Sequence, residues 1–556
     1  MADEPEPRLN NRPEYLNYTT AARLVIMSAV LLGTLLEVLD VSIVNVAIPD
    51  MMGNLGATLD EIGWVSTGYI IANVIILPLT GWLSSHFGRR RYLAGSIILF
   101  TTASFFCGNA HTLYELIFFR VLQGAGGAAL LSTAQATMIE IFPPNQVPMV
   151  QAIFGIGIMV APTLGPTLGG WITDNYTWRW IFFVNIPTGT MAAILTTLFV
   201  KDSAYQRRSG ARADWIGIAF LAIGLGSLQT VLERGERLDW LESHLIVVLI
   251  ITSIVFLIIF VIWELRVEHP AVHLNVLQDR GLAAGSLYAL VLGFGLYGAV
   301  FILPVFLQTI QGFSAEETGL ILFPGGLATA IALPIVGKLL GRFAPRNLAL
   351  IGAFGVVVAM LMLAAITPLT GPSQMLWALI VRGASMGFLY TPLVIASLLD
   401  LPEQQIASGT GLFNLARQLG GSMGIAFLAT LLDRREAYHR AVLVSYINPQ
   451  SSNFFTRFGG IAQHLYFAGG APMPLTGSNP LAAFYGYIYP HTGSGVSHTA
   501  PQQAYLILDH LVQQQAAVLS FADAFWVMAM ISLFAMPLLL LFKKGHPAKM
   551  RSGMIE

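Results

Sequence analysis

Two carboxylates, Glu37 and Asp40, lie in the middle of an apolar run that extends from Leu24 to Ile48. An ionised side chain at the centre of a bilayer costs roughly 2.5 to 3.5 kcal/mol on insertion scales, so such residues generally face protein or water and serve a function. The spacing of three residues places both acids on one face of a helix. Because a carboxyl group changes its pKa when it moves between two environments, the pair predicts coupling of a proton to a conformational change.

Arg120 is the expected cationic partner of these acids. It lies about eight residues into a later apolar run, and it must be paired because arginine stays protonated in proteins. We expect Arg120 to face the cavity and to control the protonation of Asp40 or Glu37; a structural ion pair is the alternative. Arg382 and Arg417 also lie within apolar runs, where cavity lining and helix pairing are equally supported.

Composition identifies the class of protein. The 556 residues are 55% hydrophobic and 11% charged, whereas soluble domains carry about 25% charged residues. The 29 basic and 30 acidic residues nearly cancel, so nucleic acid is not an expected partner. The sequence contains no HExxH motif and no phosphate-binding loop, which argues against an enzyme and against ATP as the energy source. The five histidines of the segment 433–517 lack metal-ligand spacing, so we propose no metal site there, and we expect no cofactor.

Fourteen apolar runs are long enough to cross the hydrocarbon core, which requires roughly 20 residues. The predicted spans are 22–48, 60–83, 91–109, 112–138, 148–172, 179–200, 214–232, 245–264, 281–306, 316–341, 346–368, 373–399, 405–432 and 518–542. The basic residues of the loops after spans 2, 6 and 10 fall on one side, which predicts that both termini are cytoplasmic.

The spans group as six, two and six. The predicted segments are a cytoplasmic tail at 1–21, a six-helix bundle at 22–200, two inserted helices with linkers at 201–280, a second six-helix bundle at 281–545 and a cytoplasmic tail at 546–556. A long periplasmic loop is expected at 433–517, either as a docking surface for a partner or as an inert cap. Residues 505–517 have helical spacing and predict an amphipathic segment at the interface.

An internal repeat indicates two related halves. Residues 81–90 close span 2 and residues 337–346 close span 10, with glycine, leucine, phenylalanine and arginine at matching places. A weaker similarity relates Arg120 and the glycines after it to Arg382 and the residues after it.

Glycines and prolines are concentrated in residues 155–170 of span 5, which predicts a bent helix with a closely packed neighbour. A helix that rocks during alternating access needs these properties, although helix packing alone is equally supported. The residues assigned to gating and helix packing, here and in the loop after span 2, are Gly81, Gly88, Arg89, Arg90, Gly157, Pro162, Gly165, Pro166, Gly169 and Gly170.

Polar and aromatic residues of the central spans are candidates for a substrate cavity. They are Asn45, Gln123, Phe294, Tyr297, Phe301, Phe388, Tyr390 and Arg417. The aromatic residues equally suit lipid contact or the core, so we expect only a minority of them to contact substrate.

Several of these motifs resemble those of a known family. The loop after span 2, Arg120 with Gln123 and Gly124, and the proline- and glycine-rich run of span 5 resemble motifs of the major facilitator superfamily. Residues 39–49, 178–189 and 417–422 resemble signatures of its fourteen-helix drug:proton antiporters, of the EmrB type. Ser85 departs from the pattern, because the superfamily usually has an aspartate at this place in the loop signature.

The resemblance implies an all-α integral membrane protein with the major facilitator fold, two six-helix halves and two inserted helices. It implies proton-coupled multidrug efflux by alternating access in a bacterial inner membrane, with small amphiphilic or hydrophobic substrates and the proton gradient as energy source. The implied partners are a periplasmic adaptor, an EmrA-like membrane fusion protein, and an outer-membrane channel. Export of an endogenous amphiphile, such as a fatty acid or siderophore, and a non-transporting sensor or scaffold are the alternatives.

Overall fold

The computed structural model describes residues 18–202, 214–367, 370–398, 400–447 and 499–543, and all regular secondary structure in these residues is helical. We number the long helices α1 to α14. They are α1 Thr20–Val46, α2 Leu59–Phe87, α3 Arg89–Gly108, α4 Leu113–Ile141, α5 Val147–Asn175, α6 Trp180–Phe199, α7 Trp215–Arg234, α8 His244–Glu264, α9 Arg280–Ile310, α10 Ala315–Leu339, α11 Pro345–Ala364, α12 Pro372–Leu398, α13 Ile406–Ser445 and α14 Thr499–Ala535.

Within the described residues, fourteen long helices follow one another in the six, two, six order that the sequence predicts. Twelve of the described helices are long and apolar enough to cross a membrane. The bent helix α5 is a thirteenth, and α3, which begins with three arginines, lies between α2 and α4 in the chain and packs on α4 and α6.

Both halves repeat one packing pattern. In the first half α1 packs on α5 and α4 packs on α2 and α3; in the second half α9 packs on α13 and α12 packs on α10 and α11. Between the halves, the second helix of each contacts the fifth helix of the other: α10 packs on α5, and α2 packs on α13. The two halves are therefore related as the internal repeat predicts, and their interface consists of these two helix pairs together with contacts of α12 with α5 and of α13 with α4.

The inserted helices lie beside the contact between α2 and α13. Helix α7 packs on α2 and α13, and α8 packs on α7. Gln229 Nε2 of α7 donates a hydrogen bond to Ser422 Oγ of α13 at 2.7 Å, and Arg234 Nη1 donates to the carbonyl oxygen of Asp60 at 2.8 Å. The insert is thus anchored to both halves.

The two halves are closed at one end of the bundle, which we call the inner end because the sequence predicts it to be cytoplasmic. Helix α2 contacts α13 mainly through its inner part, residues 77–87. A Cβ atom added to Gly81 would lie 2.9 Å from Ser408 Cα, and one added to Gly337 of α10 would lie 3.1 Å from Met149 Cα of α5. Glycine at these positions permits the close helix approach.

Helices α13 and α14 are longer than the sequence predicts. The predicted span 13 ends at 432, but α13 continues to Ser445, and the segment predicted to lie along the interface at 505–517 is part of α14. Charged residues end the apolar run of span 13, but the helix continues because ion pairs join α13 to α14. Arg435 Nε donates to Asp523 Oδ2 at 2.5 Å, and Arg440 Nη2 donates to Asp509 Oδ1 at 2.8 Å. The predictions for the tails at 1–17 and 546–556 and for residues 448–498 of the loop lie outside the described residues.

Candidate proton-coupling and substrate site

Asp40 lies in the middle of α1, is 1% exposed, and receives hydrogen bonds from two other helices. Arg120 Nη1 of α4 pairs with Asp40 Oδ2. Gln123 Nε2 of α4 donates to Asp40 Oδ1 at 2.8 Å, and Asn185 Nδ2 of α6 donates to the same oxygen at 2.9 Å. The carboxylate faces protein and has charge compensation and full hydrogen bonding, the conditions under which a buried ion is tolerated.

The guanidinium of Arg120 is held from several sides. Its Nη1 also donates to Gln123 Oε1 at 2.8 Å, and its Nε donates to the carbonyl oxygen of Val65 at 3.1 Å. Its Cζ lies 4.2 Å from the ring centroid of Tyr69, a cation–π contact. Arg120 is therefore fixed to α2 and α4, so separation from Asp40 requires α1 to move relative to these helices.

Glu37 lies one helical turn before Asp40 and has fewer partners. Asn73 Nδ2 of α2 donates to Glu37 Oε1 at 3.3 Å. Among the described residues Glu37 has no ion-pair partner, but Arg417 of α13 is near enough for its charge to act on the carboxylate. Glu37 thus interacts with a cation of the opposite half, whereas the partners of Asp40 all belong to its own half.

A second polar network joins the halves. Asn414 Nδ2 of α13 donates to Gln135 Oε1 of α4 at 2.8 Å, and Gln135 Nε2 donates to Tyr390 Oη of α12 at 3.4 Å. Arg417 Nη1 donates to Tyr297 Oη of α9 at 2.9 Å. Buried amide groups bonded across a seam stabilise one relative arrangement of the halves, because movement leaves them unpaired. Gln135 and Asn414 were missed from the sequence, where the only signal was an amide side chain inside an apolar run.

The loop after α2 contacts charged residues at the inner end of the bundle. Arg89 pairs with Glu140 of α4, and both side chains are 2% exposed. Gly88 has a φ of 85°, and a Cβ atom there would lie 2.8 Å from Asp202 Oδ1, the atom that accepts a hydrogen bond from Arg90 N at 3.1 Å. The position of Glu140 at a span end favours snorkelling or helix capping from the sequence alone, but in the structure Glu140 is instead the partner of Arg89.

A narrow cleft lies between α5 of the first half and α9, α10 and α12 of the second. Pro162 and Pro166 line it, so the proline segment of α5 forms part of the wall between the halves. The predicted bend is present, with an angle of 48° between the two parts of α5. Arg382, Met159 and Met386 also line this cleft, and the sequence did not distinguish them as substrate contacts.

The remaining predicted cavity residues do not share one surface. Asn45 is exposed near the end of α1 and accepts a hydrogen bond from Ser66 Oγ at 3.0 Å, while Gln123 belongs to the Asp40 network. Phe294 is buried with its ring centroid 5.9 Å from that of Phe427. Two further aromatic side chains, Phe301 and Phe388, are partly buried against the main core.

The predicted packing glycines differ in how tightly they are enclosed. A Cβ atom at Gly165 would lie 1.8 Å from Ser42 Oγ, and one at Gly169 would lie 3.0 Å from the carbonyl oxygen of Ile43, both on α1. At Gly157 the nearest atom is Leu35 Cδ2 at 3.6 Å, which is an ordinary contact. Gly170 is buried in the same helix. The close approach of α5 to α1 therefore depends on Gly165 and Gly169.

The family model described as the Major Facilitator Superfamily matches residues 30–425. The chain belongs to this superfamily. Among solved structures, it is similar to a double tryptophan mutant of XylE, with a TM-score of 0.56, 15% identity and coverage of 88% of this chain and 100% of that one. At this identity the likeness concerns the fold alone, and it confirms the predicted fold class.

Two curated relatives are informative. The chain is 36% identical over 437 residues to the multidrug export protein EmrB of Escherichia coli (strain K12). The matched region covers 78% of this chain and 85% of that protein. It is 33% identical over 435 residues to the fatty acid resistance protein FarB of Neisseria gonorrhoeae, with the same coverage of 78% and 85%. The predicted EmrB-type resemblance is thereby confirmed, and the chain is a multi-pass membrane protein of a transporter superfamily.

Proposed function

We propose that this protein is a proton-coupled multidrug efflux transporter that works by alternating access. Relatives named as multidrug export proteins support the class of substrate. The buried acids of α1 support proton coupling, and the observation that carries the proposal is the enclosed Asp40–Arg120 pair. An ion pair with no lipid or solvent contact is retained in a membrane protein at a cost in stability, so it indicates a function beyond packing.

The proposed cycle combines movement of the two halves against each other with movement of α1 within the first half. Substrate enters a cavity between the halves from the cytoplasm or inner leaflet, and the inner end then closes as α2 packs on α13 at Gly81 and Ser408. When α1 moves away from α4, Asp40 loses the guanidinium that favours its ionised form and takes up a proton. Glu37 responds to the movement between the halves, because the charge that acts on it belongs to Arg417 of the opposite half.

Everted membrane vesicles test this proposal. After a proton gradient is formed, addition of drug should dissipate it in vesicles with the natural protein and should not do so with Asp40→Asn. Asp174→Asn, at an exposed carboxylate near the end of α5, is the matched control and should behave as the natural protein does. Undiminished proton flux with Asp40→Asn would count decisively against the assignment.

We further propose a bacterial inner membrane location with both termini in the cytoplasm. In that orientation the extended ends of α13 and α14 project into the periplasm, where an EmrA-like adaptor that leads to an outer-membrane channel docks on them; an inert cap is the alternative. Tyr446 and Leu506 are 81% and 70% exposed on these extensions. Substitution of both by glutamate should abolish co-purification of the adaptor, and retained co-purification favours the cap.

Export of an endogenous amphiphile is the second candidate, and the similarity to FarB favours it. Deletion of the gene followed by profiling of the culture medium distinguishes the two candidate functions. Loss of a secreted metabolite in the absence of drug is expected only if the protein exports an endogenous amphiphile. A reconstituted protein that binds ligand and moves none would instead indicate a sensor or scaffold.

A further inference from the structure

Arg382 is a cation inside the bundle for which the described residues provide no partner. It lies about ten residues into α12, and it lines the cleft between α5, α9, α10 and α12. Its Nε is buried and has no hydrogen-bond partner. Within the described ranges of the chain, no ion pair reaches its guanidinium either. The side chain is half-buried, and a charge inside the bundle without compensation is unfavourable, so Arg382 favours binding of an anion.

The first half shows what lies beside the matching position. Gly383 and Gly124 occupy matching places, because the carbonyl oxygen of each accepts a hydrogen bond from the second helix of its half. Arg382 therefore corresponds to Gln123, which donates to Asp40 on the first helix of its half. The first helix of the second half is α9, Arg280–Ile310, and its sequence contains neither aspartate nor glutamate. The second half thus has an arginine at the place of Gln123 and lacks the acid beside it.

The rest of the cleft has a largely apolar lining, against which an apolar chain packs when the halves separate. Its wall includes Met159 of α5, Leu296 and Leu303 of α9, and Met386 of α12. None of the lining residues is acidic, and the one hydroxyl among them, on Thr329, is already bonded to the carbonyl oxygen of Gly383 at 2.9 Å. The cleft therefore offers one fixed positive charge within a largely apolar surface.

We propose that Arg382 binds the anionic headgroup of an amphiphilic ligand whose apolar chain lies along this cleft. The headgroup is a carboxylate or another monoanion with paired oxygen atoms, because a guanidinium donates two parallel hydrogen bonds to such a group. The inference rests on the proposed export function and defines its substrate class: the ligand supplies to Arg382 the negative charge that α9 lacks. Bound ligand also contacts Pro162 and Pro166, so it would occupy the seam at the bend of α5.

The test uses the full chain in nanodiscs of phosphatidylcholine and a matched pair of fluorescent probes, dansyl-undecanoic acid and its methyl ester. The natural protein should bind the acid more tightly than the ester. Arg382→Gln should weaken binding of the acid by about 10- to 100-fold and leave the ester unchanged. Arg382→Lys keeps the charge without the paired donors and should be intermediate, which controls for damage to the fold.

A second arm distinguishes a soluble ligand from a bilayer lipid. In nanodiscs that contain phosphatidylglycerol, competition with the acid that disappears in Arg382→Gln identifies an anionic lipid as an occupant. Absence of competition identifies a ligand that comes from outside the bilayer.

Two results would overturn the proposal: equal affinity of the natural protein for acid and ester, or an equal loss of both in Arg382→Gln. Proton flux driven by a cationic drug, measured on the same variants, keeps the two ideas separable. If that flux persists while the acid preference is absent, the anion site is wrong and the export function stands.

Discussion

Asp40 and Arg120 stabilise each other as a pair, so the effect of each depends on the presence of the other. Removal of one partner leaves a buried charge uncompensated, at a cost of about 3–5 kcal/mol, whereas removal of both leaves polar groups that the surrounding amides can bond. Gln123 and Asn185 supply such amides at 2.8 and 2.9 Å from Asp40 Oδ1. Structural and functional roles of the pair can therefore be separated by mutation.

We predict that Asp40→Asn and Arg120→Gln each lower the unfolding temperature of the purified protein, and that the double variant recovers most of the loss. Proton coupling should be absent in all three. Unfolding temperatures in one detergent and proton flux in vesicles provide the measurements. Additive losses of stability would show that the two residues do not act as a pair.

Helix α5 links the acids of α1 to the interface between the halves, because one side of α5 packs on α1 and the other side lies at that interface. Its packing against α1 depends on Gly165, where a Cβ atom would lie 1.8 Å from Ser42 Oγ, and hardly at all on Gly157. A methyl group forced into a filled interface costs about 1–3 kcal/mol or displaces the helix.

Gly165→Ala should reduce drug export about tenfold or more, and Gly157→Ala should be close to neutral. Ser42→Gly removes the side chain that the new methyl group meets, so it should restore part of the export in the Gly165→Ala background. Initial rates of drug transport, normalised to the amount of protein in the membrane, give the comparison. Equal effects of the two alanine variants would refute a special role for Gly165.

The sequence was sufficient for features that depend on a single helix. The acid pair of α1, the arginine of α4 and the bend of α5 all follow from residue type and spacing. Features that depend on which helices are neighbours were not predictable. Glu140 as partner of Arg89, and Gln135 as a bridge between halves, become visible only when α4 is placed against α3, α12 and α13.

At the scale of the whole molecule, the closed inner end defines one state of a cycle. The Arg89–Glu140 pair and the contact of Gly81 with Ser408 lie at that end. Breaking the pair should shift the population toward the state that is open at the inner end, because the pair holds the loop after α2 against α4 and thereby supports the packing of α2 on α13.

Glu140→Gln should therefore increase the labelling rate of Ser408→Cys by a membrane-permeant maleimide, with Cys107 replaced by serine. Glu268→Cys, at an exposed position, is the control and should be labelled equally in both backgrounds. No change at residue 408 would mean that the pair does not hold the inner end closed.

The central claim is that a proton and a substrate compete through the acids of α1. Purified protein in weakly buffered detergent solution near neutral pH allows a direct measurement, because protons released on addition of drug can be counted without a membrane or a gradient. The natural protein should release protons, and Asp40→Asn should bind the drug and release none. Equal proton release by the two proteins would contradict the account.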